Sequence, residues 1–278
     1  MTSTWADERV RFLRYTTPER WPSFERMPVG ADLQADVLAA MLGCSRAAVG
    51  ELRADLARGL EAGADELLAA PDYRRALVAL PFTAGSRIVA LGDSLTADRL
   101  GWFELIAASL RMSGRRDLEL HNLGLSGDTT ADAIERFDLL AASRPTHVLL
   151  FLGTNDARAH GRSPGPRMVS PGETRRNLAA LRELITGELG ASVHLITPPP
   201  GDQRLITPFF AHEALRWDAA ALDEVAAVVR DLDAACIDVA ARMKRRGLAG
   251  LLEADGVHLT PLGQRFVAET VVRQLAAT

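Results

Sequence analysis

A serine at the end of an aliphatic run is the first residue of this chain with a clear chemical use. Ser94 follows the segment 89–93, Val-Ala-Leu-Gly-Asp, whose apolar residues predict a strand. The hydroxyl is therefore expected at the carboxyl end of a sheet strand, where open α/β sheets place their ligands. A free serine hydroxyl is a poor nucleophile and needs a neighbouring base. With such a base, Ser94 could attack a carbonyl carbon and accept an acyl group.

His258 is the best candidate for that base among the six histidines, because Asp255 lies three residues before it. Gly256 between them allows a tight turn, so the carboxylate can reach Nδ1 and leave Nε2 free to face Ser94. The same four residues could instead form only a turn that caps the last helix. A short motif of this kind often occurs by chance, so it carries weight only together with others.

Two further segments offer donors for an oxyanion. Gly127 lies in the segment 122–128, Asn-Leu-Gly-Leu-Ser-Gly-Asp, where glycines let a backbone N–H approach another atom closely. Asn155 follows the aliphatic run 148–152 and offers a side-chain amide. The alternatives are a glycine-rich turn into a helix and an asparagine that only forms a turn. All these segments are expected in loops at one edge of the sheet, and together they indicate an acyl-transfer site.

Three residues near these segments are candidates for substrate contact. Thr96 lies in the loop after the nucleophile, and Trp102 follows it closely enough to form a wall of an acyl pocket. Core packing is an equally good interpretation of Trp102. Arg158 lies just beyond Asn155, where its guanidinium could receive an anionic group of the substrate.

The elements that must hold these residues change character near residue 80. The segment 1–80 carries apolar residues at three- and four-residue spacing, above all over 31–42 and 47–68, and predicts an all-helical extension. From Arg87 onward, short aliphatic runs alternate with longer amphipathic segments, as is typical of strand–helix units and a parallel sheet. We therefore divide the chain into a helical N-terminal part, 1–80, and an α/β domain, 81–278.

Strands and helices alternate in the predicted α/β domain. The strands are 87–91, 118–125, 147–152, 192–196 and 235–239. They are apolar with little alternation, which fits strands covered on both faces. The helices are 102–112, 130–142, 172–189, 211–232 and 261–277. The last one begins well, with the capping hydroxyl of Thr260 before Pro261.

The set of motifs resembles the SGNH, or GDSL, hydrolase superfamily. From about Arg87 to the C-terminus the arrangement is similar to that of its bacterial esterases, thioesterases and lysophospholipases. In that family the serine of the first block is the nucleophile, which corresponds to Ser94. The last block supplies the histidine and the aspartate, which correspond to His258 and Asp255. The N–H of the serine forms the oxyanion hole with the glycine and asparagine of the two middle blocks.

The resemblance implies a fold and an activity. The fold is a flavodoxin-like three-layer α/β/α sandwich with a five-stranded parallel sheet. The activity is hydrolysis of a small carboxylic ester through an acyl-serine intermediate, without a cofactor. The same site could act as an acyltransferase if an alcohol replaced water. Many members have a glycine shortly after the nucleophile, whereas this chain reads Leu95-Thr96-Ala97-Asp98. This departure leaves the nucleophile intact and bears on the shape and charge of the pocket.

Composition narrows the possible partners. At 278 residues and 47% hydrophobic, the chain can bury a substantial core. Its net charge of -4 gives no general attraction to nucleic acid or to anionic membranes. Asp7 and Glu8 stand where a secretory signal needs basic and then apolar residues, so a cytoplasmic location is expected. Cys44 and Cys236 are expected to be buried free thiols. No metal is predicted, because Arg216 stands where a zinc motif starting at His212 would need its second histidine.

The N-terminal part is open to several interpretations. The segment 37–49 resembles the helix-Gly-helix core of a helix-turn-helix, with 45–56 as its recognition helix. However, residues 1–80 contain 10 Arg and no Lys against 12 Asp and Glu, whereas a DNA-binding segment needs a basic face. We therefore do not expect nucleic acid as a partner. The helices could pack on the α/β domain, cover the active site or join two subunits. A non-catalytic module that uses them for contacts is the remaining alternative to an enzyme.

Overall fold

The structure, a computed structural model, describes residues 5–26, 30–161 and 165–277. The helices are α1 (Trp5–Tyr15), α2 (Pro22–Glu25), α3 (Ala31–Leu42), α4 (Arg46–Ala69), α5 (Pro71–Val78), α6 (Ser94–Ala97), α7 (Trp102–Met112), α8 (Thr130–Glu135), α9 (Phe137–Ala142), α10 (Pro171–Gly187), α11 (Gln203–Phe209), α12 (Ala219–Leu232), α13 (Val239–Arg246) and α14 (Pro261–Leu275). The strands are β1 (Arg87–Gly92), β2 (Glu119–Gly124), β3 (His147–Phe151), β4 (Ala159–His160), β5 (Ser192–Leu195) and β6 (Leu215–Arg216). A short 3₁₀ helix covers Pro18–Arg20.

The central sheet is parallel, with the strand order β2-β1-β3-β5. Gly92, the last residue of β1, pairs with Gly124 on one side and Phe151 on the other, so three strands end at the same level. The inner strands β1 and β3 are buried almost throughout. A second, two-stranded antiparallel sheet joins β4 to β6.

Helices cover both faces of the central sheet, which confirms the expected three layers. Alternate residues of β1 point to opposite sides. Ile88 and Ala90 belong to a core cluster that includes residues of α5, α7 and α14. Val89 and Leu91 belong to another cluster that includes residues of α8, α10 and α12. Because helices bury both faces of the sheet, the strand sequences are apolar runs and do not alternate between apolar and polar residues.

Within the described residues the central sheet has four strands, whereas five were predicted. The segment 235–239 makes one isolated parallel bridge, between Ile237 and Ile196, beyond the end of β5. Asp238 then caps α13 with its side chain, so helix begins at Val239. The chain therefore turns away after one paired residue, which is too short for a strand.

Two helices also differ from their predicted extents. The segment 130–142 forms α8 and α9 because Arg136 between them leaves helical geometry, with φ -105° and ψ 26°. The guanidinium of Arg136 is held by the buried carboxylate of Asp128. The helix expected over 211–232 begins only at Ala219, after an aspartate cap.

The N-terminal helices are present as the periodicity predicted. Gly43, in the left-handed conformation with φ 57°, ends α3, and the Ser45 hydroxyl caps α4. Residues of α1, α3 and α4, including Leu13, Leu38 and Leu56, form a small core of their own. Helix α4 also packs on α7, which joins this core to the α/β domain. Within the described part of the chain, no helix has both the length and the apolar character needed to cross a bilayer.

Candidate active site

Ser94, His258 and Asp255 meet at the carboxyl edge of the sheet. Ser94 is the first residue of α6, directly after β1, and its Oγ lies 3.0 Å from His258 Nε2. His258 Nδ1 lies 2.8 Å from Asp255 Oδ2. The structure thus brings together two side chains that are 164 positions apart, at hydrogen-bond distance.

The loop 255–258 is built around its own carboxylate. Asp255 Oδ1 accepts hydrogen bonds from the N–H groups of Val257 and His258, at 3.0 and 2.9 Å. Gly256 has φ 70°, a conformation that favours glycine, so the chain can close this turn. The cap of α14 is the Thr260 side chain, which accepts from Gly263 N–H. The carboxylate therefore orients the imidazole rather than capping the helix.

Asp255 is held in its charged form. Burial by itself would raise the pKa of Asp255, but the hydrogen bond and positive charge of His258, together with two backbone N–H groups, bring that pKa well below its ordinary value. An ionised carboxylate on Nδ1 favours the tautomer with Nε2 free to accept a proton from Ser94.

Two backbone N–H groups are available for an oxyanion beside the nucleophile. The backbone and side chain of Asp93 engage the N–H groups of the next residues in α6, from Leu95 onward. Within the described ranges, no backbone hydrogen bond uses the N–H of Ser94 or that of Gly127. Gly127 has φ 93°, so a residue with a side chain would be strained there. It lines the same pocket as Ser94.

Asn155 is the third candidate donor, and its amide is fixed at both ends. Nδ2 donates to the carbonyl of Asp128 at 3.0 Å, and Oδ1 accepts from Arg158 Nη1 at 3.3 Å. An amide nitrogen carries two hydrogens, so one can still point into the pocket. Asn155 also lines that pocket.

A buried ion pair that the sequence did not reveal supports the loop of Gly127. Arg136 Nε lies 2.5 Å from Asp128 Oδ2, while its other nitrogens donate to the carbonyls of Leu123 and Gly92. The side chain thus ties the loop to the end of β1. Burial raises the pKa of Asp128 to about 6, although the positive charge of Arg136 opposes the shift. No local pattern marked this pair, because Asp132, Glu135 and Asp138 are charged residues of the same segment.

Helix α1 forms one wall of the site, which the sequence left open. Arg11 Nη2 lies 2.8 Å from Asp255 Oδ2, the same oxygen that His258 uses. The Tyr15 ring lies 4.9 Å from the imidazole of His258, centroid to centroid. Ser126 Oγ donates to the Tyr15 carbonyl at 2.6 Å, which joins the end of α1 to the loop of Gly127.

A second arginine of α1 anchors that wall. Arg14 makes two hydrogen bonds to the carboxylate of Asp98, at 3.1 and 2.6 Å, and a third to Glu253 at 2.9 Å. Asp98 follows α6, and Glu253 precedes the loop of Asp255. Arg14 thus fixes α1 to segments on both sides of Ser94 and His258. Arg11, Arg14 and Tyr15 share one face of the helix, and their spacing is the sequence signal that could have indicated a buried polar contact.

The pocket lined by Ser94 has a volume of about 430 Å³. Its apolar walls come from Phe12 and Tyr15 of α1 and from Trp217 and Val257. Arg158 also lines it, with its guanidinium 5.8 Å from the centre of the Trp217 ring.

The structure does not bring Thr96 and Trp102 to this pocket. Both side chains are fully buried, and Trp102 Nε1 donates to Thr96 Oγ1 at 3.3 Å. The Trp102 ring packs edge-on against Phe103 and Phe151 in the core. We therefore correct both assignments to core positions, because the single turn of α6 directs Thr96 toward the sheet.

Comparison with known proteins places the chain in a family. The model of the GDSL-like lipase/acylhydrolase family matches residues 90–266. A GDSL esterase/lipase of Arabidopsis thaliana is 26% identical over 206 residues, which cover 67% of this chain and 84% of that protein.

Solved structures agree with that match. The lipase/acylhydrolase from Enterococcus faecalis superposes with a TM-score of 0.56 at 27% identity, over 69% of this chain and 96% of its own. A variant of Axe2, an acetyl xylan esterase from Geobacillus stearothermophilus, superposes with a TM-score of 0.54 at 21% identity, over 70% of this chain and 96% of its own. The second likeness concerns the fold alone.

The family match begins at residue 90, so α1 to α5 lie outside it. It contains the segments of Ser94, Gly127, Asn155 and His258 and covers well over half of the chain. The chain is therefore a carboxylic ester hydrolase and belongs to the GDSL-like lipase/acylhydrolase family.

Proposed function

We propose that this protein hydrolyses a small carboxylic ester in two steps, through an acyl intermediate on Ser94. The observation that carries the proposal is the row of hydrogen bonds from Ser94 Oγ to His258 Nε2, at 3.0 Å, and from His258 Nδ1 to Asp255 Oδ2, at 2.8 Å. A hydroxyl, an imidazole and a carboxylate in this order form an activated nucleophile.

In the first step, Ser94 Oγ attacks the ester carbonyl carbon while His258 Nε2 takes the hydroxyl proton. The carbonyl oxygen becomes an oxyanion that accepts hydrogen bonds from the N–H groups of Ser94 and Gly127 and from Asn155 Nδ2. The bond to the alcohol oxygen then breaks, and the alcohol leaves with the proton from His258. Asp255 stays ionised and stabilises the imidazolium between these two transfers.

In the second step, water replaces the alcohol. His258 takes a proton from the water as its oxygen attacks the acyl carbon, and a second oxyanion forms against the same donors. The bond to Ser94 Oγ breaks, Oγ regains its proton from His258, and the carboxylic acid leaves.

The experiment is covalent labelling with a fluorophosphonate probe, read by intact-mass spectrometry. We expect one adduct on the parent protein and none on Ser94→Ala, because the probe reacts only with an activated serine. Ser126→Ala is the matched control, since Ser126 also lines the pocket and its hydroxyl is already bonded to the Tyr15 carbonyl. It should still be labelled. An unlabelled parent, or an adduct that persists on Ser94→Ala, would contradict the proposal.

A further inference from the structure

Arg158 places a positive charge in the wall of the pocket beside the oxyanion donors. We propose that it receives an anionic oxygen group of the substrate, so that the natural ester carries a carboxylate or phosphate in addition to its reacting carbonyl. This inference rests on the proposed hydrolysis at Ser94 and specifies the substrate class of the same site.

The guanidinium is held in place by two contacts that carry no negative charge. Its Nη1 donates to Asn155 Oδ1 at 3.3 Å, and its Cζ lies over the Trp217 ring, 5.8 Å from the centroid. An arginine fixed by an amide and an aromatic ring is preorganised, so it loses little conformational freedom when it binds an anion.

The charge of Arg158 is not neutralised by the protein at short range. Within the described ranges, no carboxylate lies at ion-pair distance from it, and its buried Nε has no hydrogen-bond partner. Burial lowers the pKa of Arg158, while the more distant charges of Asp132 and Asp93 oppose the shift. Nη2, by contrast, is not among the buried atoms and makes no hydrogen bond within the described ranges, so an anionic group of the substrate can bind it in a charge-assisted hydrogen bond.

The other charges of the pocket do not offer the same opportunity. Arg11 also lines the pocket, but it is already paired with Asp255 at 2.8 Å. Glu8, also on α1, is exposed and carries the wrong charge for an anion. Because Arg158 bonds the side chain that faces the reacting carbonyl, the anionic group must lie within a few atoms of the ester. The apolar walls of Phe12 and Val257 accommodate the rest of the molecule.

The test compares esters that differ only in charge. On the acyl side, mono-p-nitrophenyl adipate is paired with p-nitrophenyl hexanoate. On the alcohol side, 4-acetoxybenzoate and 4-acetoxyphenyl phosphate are each paired with the neutral methyl 4-acetoxybenzoate. For each pair the ratio of kcat/KM, anionic over neutral, is measured after subtraction of the enzyme-free rate. The pair that shows a preference identifies where the anionic group sits and which anion it is.

The variants are Arg158→Met, Arg158→Lys and, as a control, Arg245→Met. Arg245 is an exposed residue of α13 that does not line the pocket, and its loss changes the net charge equally. We expect Arg158→Met to lower the ratio by about ten- to a hundredfold, the usual effect of losing a charge-assisted hydrogen bond. Arg158→Lys should keep part of it, and Arg245→Met should leave it unchanged. The ratio is decisive because Arg158→Met also frees Asn155 and slows both esters.

A measurement on the parent protein alone guards against a variant that does not fold. Added salt should weaken the preference for the anionic ester more than it weakens hydrolysis of the neutral one. If added salt leaves every parent ratio unchanged, or if a folded Arg158→Met has the same ratios as the parent, the inference is wrong. Absence of any Ser94-dependent hydrolysis would instead contradict the proposed function.

Discussion

Asn155 takes part both in the proposed oxyanion site and, through its bond to Arg158, in the proposed site for an anionic group of the substrate. Its amide oxygen is taken by Arg158 and one amide hydrogen by the carbonyl of Asp128. Rotation of the amide would break both bonds, so the remaining hydrogen keeps a fixed direction. A preorganised donor of this kind stabilises an oxyanion without rearrangement at the moment of reaction.

We expect Asn155→Ala to lower kcat on p-nitrophenyl acetate by about 10²- to 10³-fold, the cost of one oxyanion donor. The loss should be incomplete, because the N–H groups of Ser94 and Gly127 remain. Steady-state kinetics with circular dichroism as a check of folding measure the effect. Asn177→Ala serves as the control, since Asn177 is buried in a network with Thr130 outside the pocket. A parent-like kcat in Asn155→Ala would remove Asn155 from the assignment.

At the scale of elements, α1 stands out because it lies outside the family match and still builds the site. Tyr15 packs on the imidazole of His258, and Arg11 shares the carboxylate oxygen that orients it. Such contacts require that α1 keep a fixed position over the sheet edge. Arg14 provides the anchor, since its side chain is 10% exposed and that of its partner Asp98 is fully buried.

We expect Arg14→Met to lower the free energy of unfolding by about 3 kcal/mol, because it leaves the buried charge of Asp98 without its cation. Asp98 keeps hydrogen bonds from Leu100 N–H and the Gln264 amide, which favours the lower end of the range for such losses. The control is Arg26→Met, whose partner Asp138 is 58% exposed. That change should cost less than about 1 kcal/mol. Urea denaturation measures both, and equal losses would show that the buried pair does not anchor α1.

At the scale of the whole molecule, carboxyl groups buried at the sheet edge couple stability to pH. Burial raises the pKa of Asp93 from 3.8 to about 7 and also raises the pKa of Asp156. The folded protein therefore binds the Asp93 proton more tightly than the unfolded chain does. Its contribution to stability is complete below pH 3.8 and is lost as the pH rises to about 7.

We expect Asp93→Asn to remove the loss of stability that the ionisation of Asp93 causes as the pH rises. The asparagine oxygen can still accept the Leu95 N–H, as Oδ1 of Asp93 does at 3.0 Å. The difference in free energy of unfolding, variant minus parent, should be larger at about pH 8 than at about pH 5. The increase should be a few kcal/mol at most. Urea denaturation at both pH values measures it. A difference between the two proteins that stays constant with pH would show that Asp93 does not titrate in this range.

The sequence by itself determined the features that depend on neighbouring residues. Apolar runs marked β1 and β3, and three- and four-residue spacing marked α3 and α4, because burial on two faces or on one stripe leaves a local pattern. The motifs of Ser94 and His258 could be recognised for the same reason, because each is a short run of neighbouring residues that forms a turn.

The tertiary structure decided what depends on contacts between distant segments. Arg11 reaches Asp255 across 244 positions, and no local pattern records such a pair. Thr96 turned inward and Trp102 joined the core, although both follow the nucleophile closely. Residues 235–239 were apolar enough for a strand, but the cap at Asp238 ended the pairing. In each case the outcome depends on which surfaces meet after folding, and that is a property of the assembled layers rather than of any one segment.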